Sequence, residues 1–578
     1  MAGPSLFFRR WTIRAVLGFW LPIGWFLVSP VPVSAGPALA KQAMIAAANP
    51  WAVDAGIGAL QAGGNAVDAA IAVQLVLNLV EPQSSGIGGG AFLLYYDATS
   101  GSVRSYDGRE TAPMSATPDL FIGLDGKPMR FFDAVVGGKS VGIPGLVAML
   151  ELAHKRHGKL SWQRLFSPAI RLAANGFKVS LRLHAMIKRD RHLKTFQTAR
   201  RYFYDGLQHP RPVGWRLRNR SFAETLRKIA DGGADAFYRG EIADEIIATV
   251  NSAPRYPATI VRQDFANYRA REREPVCASY RQYTVCGMPP PTSGGLTLLQ
   301  ILIMLERFDM AALEPSSSRA VHLISEASRL AFADRSRYMA DADFVPVPVH
   351  GLLDRDYLAG RAALIGESKS MGQAIPGELL GQLTQRWGHD ASLELPSTTH
   401  LSVVDSEGNA VAMTSSIENA FGSRLMAGGF LLNNELTDFS FVASRGGAAV
   451  ANRIEPGKRP RSSMSPTIIL NADGSLRLAI GSPGGSRIIP YVAKTIIAVL
   501  DWGLDVQTAI NLPHHTNQNG STDLEKGTSV ATIAPTLEAL GHKVKVRRLN
   551  SGLHGIERLP SGLRGGADPR REGVARGF

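Results

Sequence analysis

The sequence predicts a layered α/β sandwich, on three observations. Helical signals fill much of the stretch from residue 66 to residue 340, strand signals cluster after residue 398, and another helix begins near Ile488. That order suits stacked sheets and helices better than a strictly alternating dinucleotide-binding fold. Composition is that of an ordinary globular protein, 45% hydrophobic and 19% charged over 578 residues, enough for a large core. No internal repeat is visible and no long low-complexity linker divides the chain, so it reads as one large unit.

In chain order, the first segment is a leader. Arg9, Arg10 and Arg14 form a basic front to an apolar run from Ala15 to Val28, with small-residue sites at Val33-Ser34-Ala35 and Ala38-Leu39-Ala40. This is the pattern of an export signal, here residues 1–35. The apolar run falls short of the roughly 20 residues of a spanning helix. The expected location is periplasmic or extracellular, with an uncleaved membrane anchor as the alternative.

Residues 66–80 are apolar nearly all round and predict a buried helix. Gly86 to Gly90 lacks the Lys-Ser/Thr ending of a phosphate loop, so it predicts a tight turn into a strand at Phe92–Tyr96. Pro144 opens a helix that runs to about His157 and stops at Gly158. Further helices are expected near 161–174, 222–231, 240–251, 296–307 and 318–340, with Pro289 to Pro291 breaking the chain before 296. The only two cysteines, Cys277 and Cys286, flank a short hairpin centred near Arg281. An oxidising compartment would allow a cross-strand disulfide there, although spacing alone does not set the register. The pairs 399–405/410–414 and 466–471/476–480 read as hairpins.

Net charge is +14, or about +11 without the three leader arginines. The basic residues are scattered, with a denser tail from Arg547 to Arg576 that has no interleaved aromatic residues. This excludes nucleic acid as the expected partner and leaves a solvated basic surface, open to anionic peptides or lipid headgroups. No Cys/His cluster has metal-ligand spacing, and the adjacent His514-His515, read as helical, would not converge on one ion. No metal and no cofactor are expected.

The chemistry starts at Pro396-Ser397-Thr398-Thr399-His400, which precedes an alternating, strand-like run. A threonine opening an inner strand can act as nucleophile if cleavage frees its own amine to take the hydroxyl proton. The short motif is not specific by itself, and Thr399 is the alternative nucleophile.

The order of segments around it resembles the gamma-glutamyltransferase (gamma-glutamyltranspeptidase) family. The motifs are Gly63 to Ala70, Glu81 to Gly90, Asp107 to Pro113, Pro289 to Gly295, Leu431 to Phe439, Arg459 to Pro466 and Gly481 to Arg487. The resemblance implies an N-terminal-nucleophile (Ntn) hydrolase fold, an αββα four-layer sandwich, autocleaved into subunits of residues 36–397 and 398–578. It implies cleavage between Ser397 and Thr398, which decides between the two threonines. Ser416 would lie beside the nucleophile's amine, where the family often has Thr. Gly484 and Gly485 would serve the oxyanion through backbone N–H groups. Arg109, with Ser462 and Ser463, would grip a substrate α-carboxylate; Glu435 and Asp438, reinforced by Glu418, would hold its α-ammonium. Glu418 stands where some members carry Asn. The segment Phe439 to Lys458 corresponds to a covering loop in some members, here without tyrosine but with Phe441.

The implied function is gamma-glutamyltransferase and glutathione hydrolase. A γ-glutamyl ester on Thr398 would pass to water or to an amino acid or peptide amine, without a cofactor. Implied partners are glutathione, other γ-glutamyl compounds and the chain's own two fragments as a heterodimer. The alternatives are a related cephalosporin/glutaryl acylase and an inactive exported binding protein.

Overall fold

Two seven-stranded sheets organise the computed structural model, which describes residues 1–3, 36–379 and 386–578. The leader expected over residues 1–35 lies almost wholly outside the described residues. In the first sheet the strands run in the order Val574–Gly577, Met44–Ala47, Thr399–Val404, Ala410–Ser416, Gly90–Asp97, Ser102–Gly108 and Arg271–Arg273. In the second the order is Ala38–Ala40, Gly562–Ala567, His554–Leu559, Leu476–Gly481, Thr467–Leu470, Tyr283–Gly287 and Val276–Tyr280. Every neighbouring pair in both sheets is antiparallel.

Side-chain alternation explains how the layers stack. Along Gly90–Asp97, Ala91, Leu93 and Tyr95 join one core and Phe92, Leu94 and Tyr96 join the other. Successive residues of a strand face opposite sides of its sheet, so this strand is covered on both faces. The first core also takes in the helices Pro50–Gln61, Ala66–Val80 and Leu146–His157. The second takes in the neighbouring sheet and the helices Gly294–Leu305, Ser318–Tyr338 and Ile488–Leu500. The result is helix, sheet, sheet, helix, the four layers expected.

The helix Ala66–Val80 is buried at every position, as its all-round apolar sequence demands, and the Asn65 side chain caps its first N–H groups. Gly158 caps Leu146–His157. The helix expected over 222–231 extends as Arg220–Tyr238 and kinks at Gly233, whose φ is +64°. Cys277 and Cys286 face each other across the hairpin Val276–Tyr280/Tyr283–Gly287 and form a disulfide. The expectation for His514-His515 needs correcting, because His515 opens the strand His515–Asn517 rather than sitting in a helix. No helix among the described residues is long and apolar enough to cross a membrane.

Candidate active site

Thr398 sits where the central strand pair of the first sheet begins. Thr399 pairs with Ser415, which leaves Thr398 beside Ser416 at the open end of the ladder. The two hydroxyl oxygens are 3.1 Å apart. Ser416 Oγ also accepts the Glu418 backbone N–H at 2.8 Å, which pins its position. Thr398 is buried and has a φ of +84°, far outside the range of a β-branched residue at rest. Such a conformation costs about 1–3 kcal/mol and persists only when the surroundings hold it. Ser397 Oγ donates to the Gln83 carbonyl at 3.0 Å, and the Thr398 carbonyl accepts from the Arg571 guanidinium at 2.9 Å.

The glycine run belongs to this scaffold. A β-carbon on Gly88 would lie 2.1 Å from the Leu431 carbonyl oxygen, and one on Gly89 would lie 2.1 Å from that of Ser416. Only glycine lets the Glu81–Gly90 turn press against the strand that carries Ser416.

One wall of the site is acidic. Glu435 and Asp438 occupy a single helical turn, and both bond to the buried Arg109, Asp438 at 2.6 Å. Arg109 also donates to the carbonyls of Pro460 at 3.0 Å and Arg461 at 2.9 Å. Burial works against its charge, but Glu435, Asp438 and Glu110 more than offset that and hold it protonated. Glu418 accepts from the Asn434 side chain. Burial, then the nearby Glu435, pushes the Glu418 carboxyl up to about 8. Burial also raises Glu435 and Asp438, against the pull of Arg109. The wall is therefore short of positive charge.

The rest of the lining carries hydroxyls and glycine backbone. Ser462 Oγ accepts the Met464 N–H at 3.1 Å, and Ser463 Oγ donates to the Glu394 carboxylate. Gly484 and Gly485 turn the chain with φ of +141° and +60°, values natural to glycine. A β-carbon on Gly485 would lie 2.7 Å from the Glu394 carbonyl oxygen, so the residues just before Ser397 lie against this turn. Beside Thr398 and Ser416 is a void of about 20 Å³. Glu418, Glu435, Asp438, Ser462, Ser463 and Gly485 line it; Arg109 lies behind the two carboxylates and Gly484 lies one residue off the lining. The segment after Phe439 forms the hairpin Ser444–Arg445/Ala448–Ala449, and Phe441 stacks on Phe121 with ring centres 4.6 Å apart.

Sequence reasoning missed Arg571, Glu394 and Arg335. Arg571 lies 173 residues from the threonine whose carbonyl it holds, a separation no local pattern reports. It also missed a group that could hold a metal ion, His322, Glu326 and His542, whose ligand atoms lie within 4.8 Å of one another. Its polar atoms are already engaged. His322 Nδ1 and His542 Nε2 are 2.7 Å apart, and Arg329 bonds Glu326 at 2.8 Å and His542 at 3.3 Å. A guanidinium thus already supplies positive charge there.

The family model for gamma-glutamyltranspeptidase matches residues 52–578. The chain is similar to the "Glutathione hydrolase proenzyme" of Escherichia coli (strain K12), 38% identical over 550 residues, covering 92% of this chain and 91% of that protein. Its fold is similar to the crystal structure of cephalosporin acylase from Bacillus halodurans, with a TM-score of 0.83, 28% identity and coverage of 96% of this chain and 98% of that one. The Helicobacter pylori gamma-glutamyltranspeptidase structure superposes with a TM-score of 0.55 at 35% identity, covering 60% of this chain and 96% of that one. With an Ntn-type sandwich, a buried strand-opening threonine and a match along most of its length, this chain belongs to the gamma-glutamyltranspeptidase family.

Proposed function

We propose that the protein is an exported gamma-glutamyltransferase and glutathione hydrolase that matures by cutting itself before Thr398. The observation that carries the reading is the pairing of a strained, buried Thr398 with Ser416 at 3.1 Å, beside a void lined by acidic side chains and by hydroxyls. In the uncut chain Thr398 Oγ1 attacks the Ser397 carbonyl carbon, an ester forms as the C–N bond breaks, and the released amine takes up a proton. Water then opens the ester, leaving a Ser397 carboxylate and a free Thr398 amine. That amine becomes the base for the next attack, on the γ-carbonyl of a donor such as glutathione.

The donor's α-ammonium lies against Glu418, Glu435 and Asp438, and its α-carboxylate meets Ser462 and Ser463, with Arg109 supplying positive charge from behind Glu435 and Asp438. Gly484 and Gly485 N–H groups receive the oxyanion, a contribution of about 3–4 kcal/mol per donor in comparable sites. The γ-glutamyl ester then passes to water or to an amino acid or peptide amine. A glutaryl acylase reading draws on the acylase fold match, but its substrate lacks the ammonium that the acidic wall suits.

N-terminal sequencing of purified fragments tests the cleavage: a chain beginning at Thr398 is expected, and Thr398→Ala should stay in one piece without turnover. Hydrolysis of γ-glutamyl and glutaryl anilides at equal concentration tests the substrate. Preference for the glutaryl compound would overturn the gamma-glutamyl assignment.

A further inference from the structure

The space beside Thr398 is narrow, a void of about 20 Å³. Glu394 and Leu395 line it, so the chain's own segment occupies the place that a donor must enter. The Glu394 carboxylate is not loosely parked. One oxygen bonds the Arg335 guanidinium, the other accepts from Ser463 Oγ, and Arg461 lies 3.5 Å away. The side chains of Glu394, Arg335 and Arg461 are 5%, 6% and 1% exposed.

We propose that this pocket of Arg335, Arg461 and Ser463 is a carboxylate seat, filled by Glu394 in the uncut chain and passed to the donor's α-carboxylate once the chain is cut. The proposal rests on the gamma-glutamyl reading of the site and adds Arg335 to it as a specificity-determining cation alongside Arg109.

Hydrogen-bond chemistry gives the seat its direction. Arg335 donates through Nε to Ser293 Oγ at 2.7 Å and through a terminal nitrogen to Ser463 Oγ at 2.7 Å. A guanidinium has no acceptor, so Ser463 Oγ must accept from Arg335, and its own proton points to the carboxylate. Arg335 thereby sets the orientation of a serine that lines the void as well as supplying charge.

Charge bookkeeping then asks for a replacement. Arg461 keeps Asp390 at 3.0 Å when Glu394 leaves, but Arg335 makes no other ion pair among the described residues. A buried guanidinium left without a counter-ion is strongly unfavourable. A donor carboxylate restores the pair, while the acidic residues that line the same void, Glu418, Glu435 and Asp438, receive the ammonium. The two ends of an α-amino acid are thus matched by two sets of residues at the void beside Thr398.

The test uses the mature two-chain protein and three competitive inhibitors of γ-glutamyl anilide hydrolysis. L-Glutamate carries both charged groups, glutarate lacks the ammonium, and 4-aminobutanoate lacks the α-carboxylate. Arg335→Gln should weaken L-glutamate and glutarate by about tenfold or more and leave 4-aminobutanoate within about twofold. KM for the anilide should rise by a similar factor while kcat changes less. Equal weakening of all three inhibitors, or of none, overturns the seat.

A second arm needs neither maturation nor turnover. In the uncut Thr398→Ala protein, added Glu394→Ala empties the seat, and acetate should then raise the melting temperature of the double variant but not of the single one. No acetate response in the double variant also overturns the proposal. A parent enzyme that ignores γ-glutamyl anilide would instead sink the gamma-glutamyl reading, with the acetate arm still judging the seat.

Discussion

At the scale of single residues, the site places groups in states that water would not allow them. Thr398 is held at φ +84°, and the peptide bond proposed for cleavage joins it to Ser397, itself anchored on the Gln83 carbonyl. The proposed cleavage at this point would release local strain as well as free an amine. Glu418 shows the electrostatic counterpart. Its carboxyl is held at about 8 in the folded uncut chain, against an ordinary value of 4.5. Between those values the folded chain binds more protons than the unfolded one. Its contribution is therefore fully present below about pH 4.5 and is lost as pH rises toward 8. The uncut Thr398→Ala protein should lose stability on going from pH 5 to pH 8, with a Glu418 share on the order of 1–3 kcal/mol. Adding Glu418→Gln should flatten that slope, as measured by denaturant melts at the two pH values. An unchanged slope would show that Glu418 is already ionised in the uncut chain.

Whole elements follow more local rules. Residues 66–80 form a helix buried all round because no polar face exists to be solvated, and Asn65 starts it by capping. The Val276–Tyr280/Tyr283–Gly287 hairpin forms around Arg281, whose φ is +54°, and its bridge joins residues 9 apart in sequence. Closing a loop of that size is worth about 2–3 kcal/mol in the unfolded chain. The hairpin lies at the edge of the sheet that does not carry Thr398. Replacing Cys277 and Cys286 by serine should therefore lower stability by about that amount and leave cleavage before Thr398 intact. Denaturant melts and denaturing gels read the two outcomes separately, and failure to cleave would tie the hairpin to maturation.

At the scale of the molecule, the proposed cut would not divide the fold. The strand Met44–Ala47 lies between Val574–Gly577 and Thr399–Val404, and Ala410–Ser416 lies beside Gly90–Asp97. Both sheets mix strands from before and after Ser397, and so do both large cores. The fragments should co-elute as one particle on native size exclusion, run as two bands on a denaturing gel, and separate only when denaturant breaks the ladders. Separation in native buffer would contradict this interleaved topology.

Hydrophobic periodicity, turn residues and caps are local, so the sequence alone determined several of the helices, the hairpins and the layered class, and motifs read in order pointed to Thr398, Ser416 and the charged residues as candidates. Only the tertiary structure decided that Arg109 stands behind Glu435 and Asp438, that Arg571 holds the Thr398 carbonyl, and that Glu394 fills a seat built by Arg335 and Ser463. Arg335 and Glu394 are 59 residues apart, and Ser463 is 69 beyond Glu394. Their meeting depends on how the sheets and helices stack, and periodicity within one segment carries no information about which distant side chain will face it.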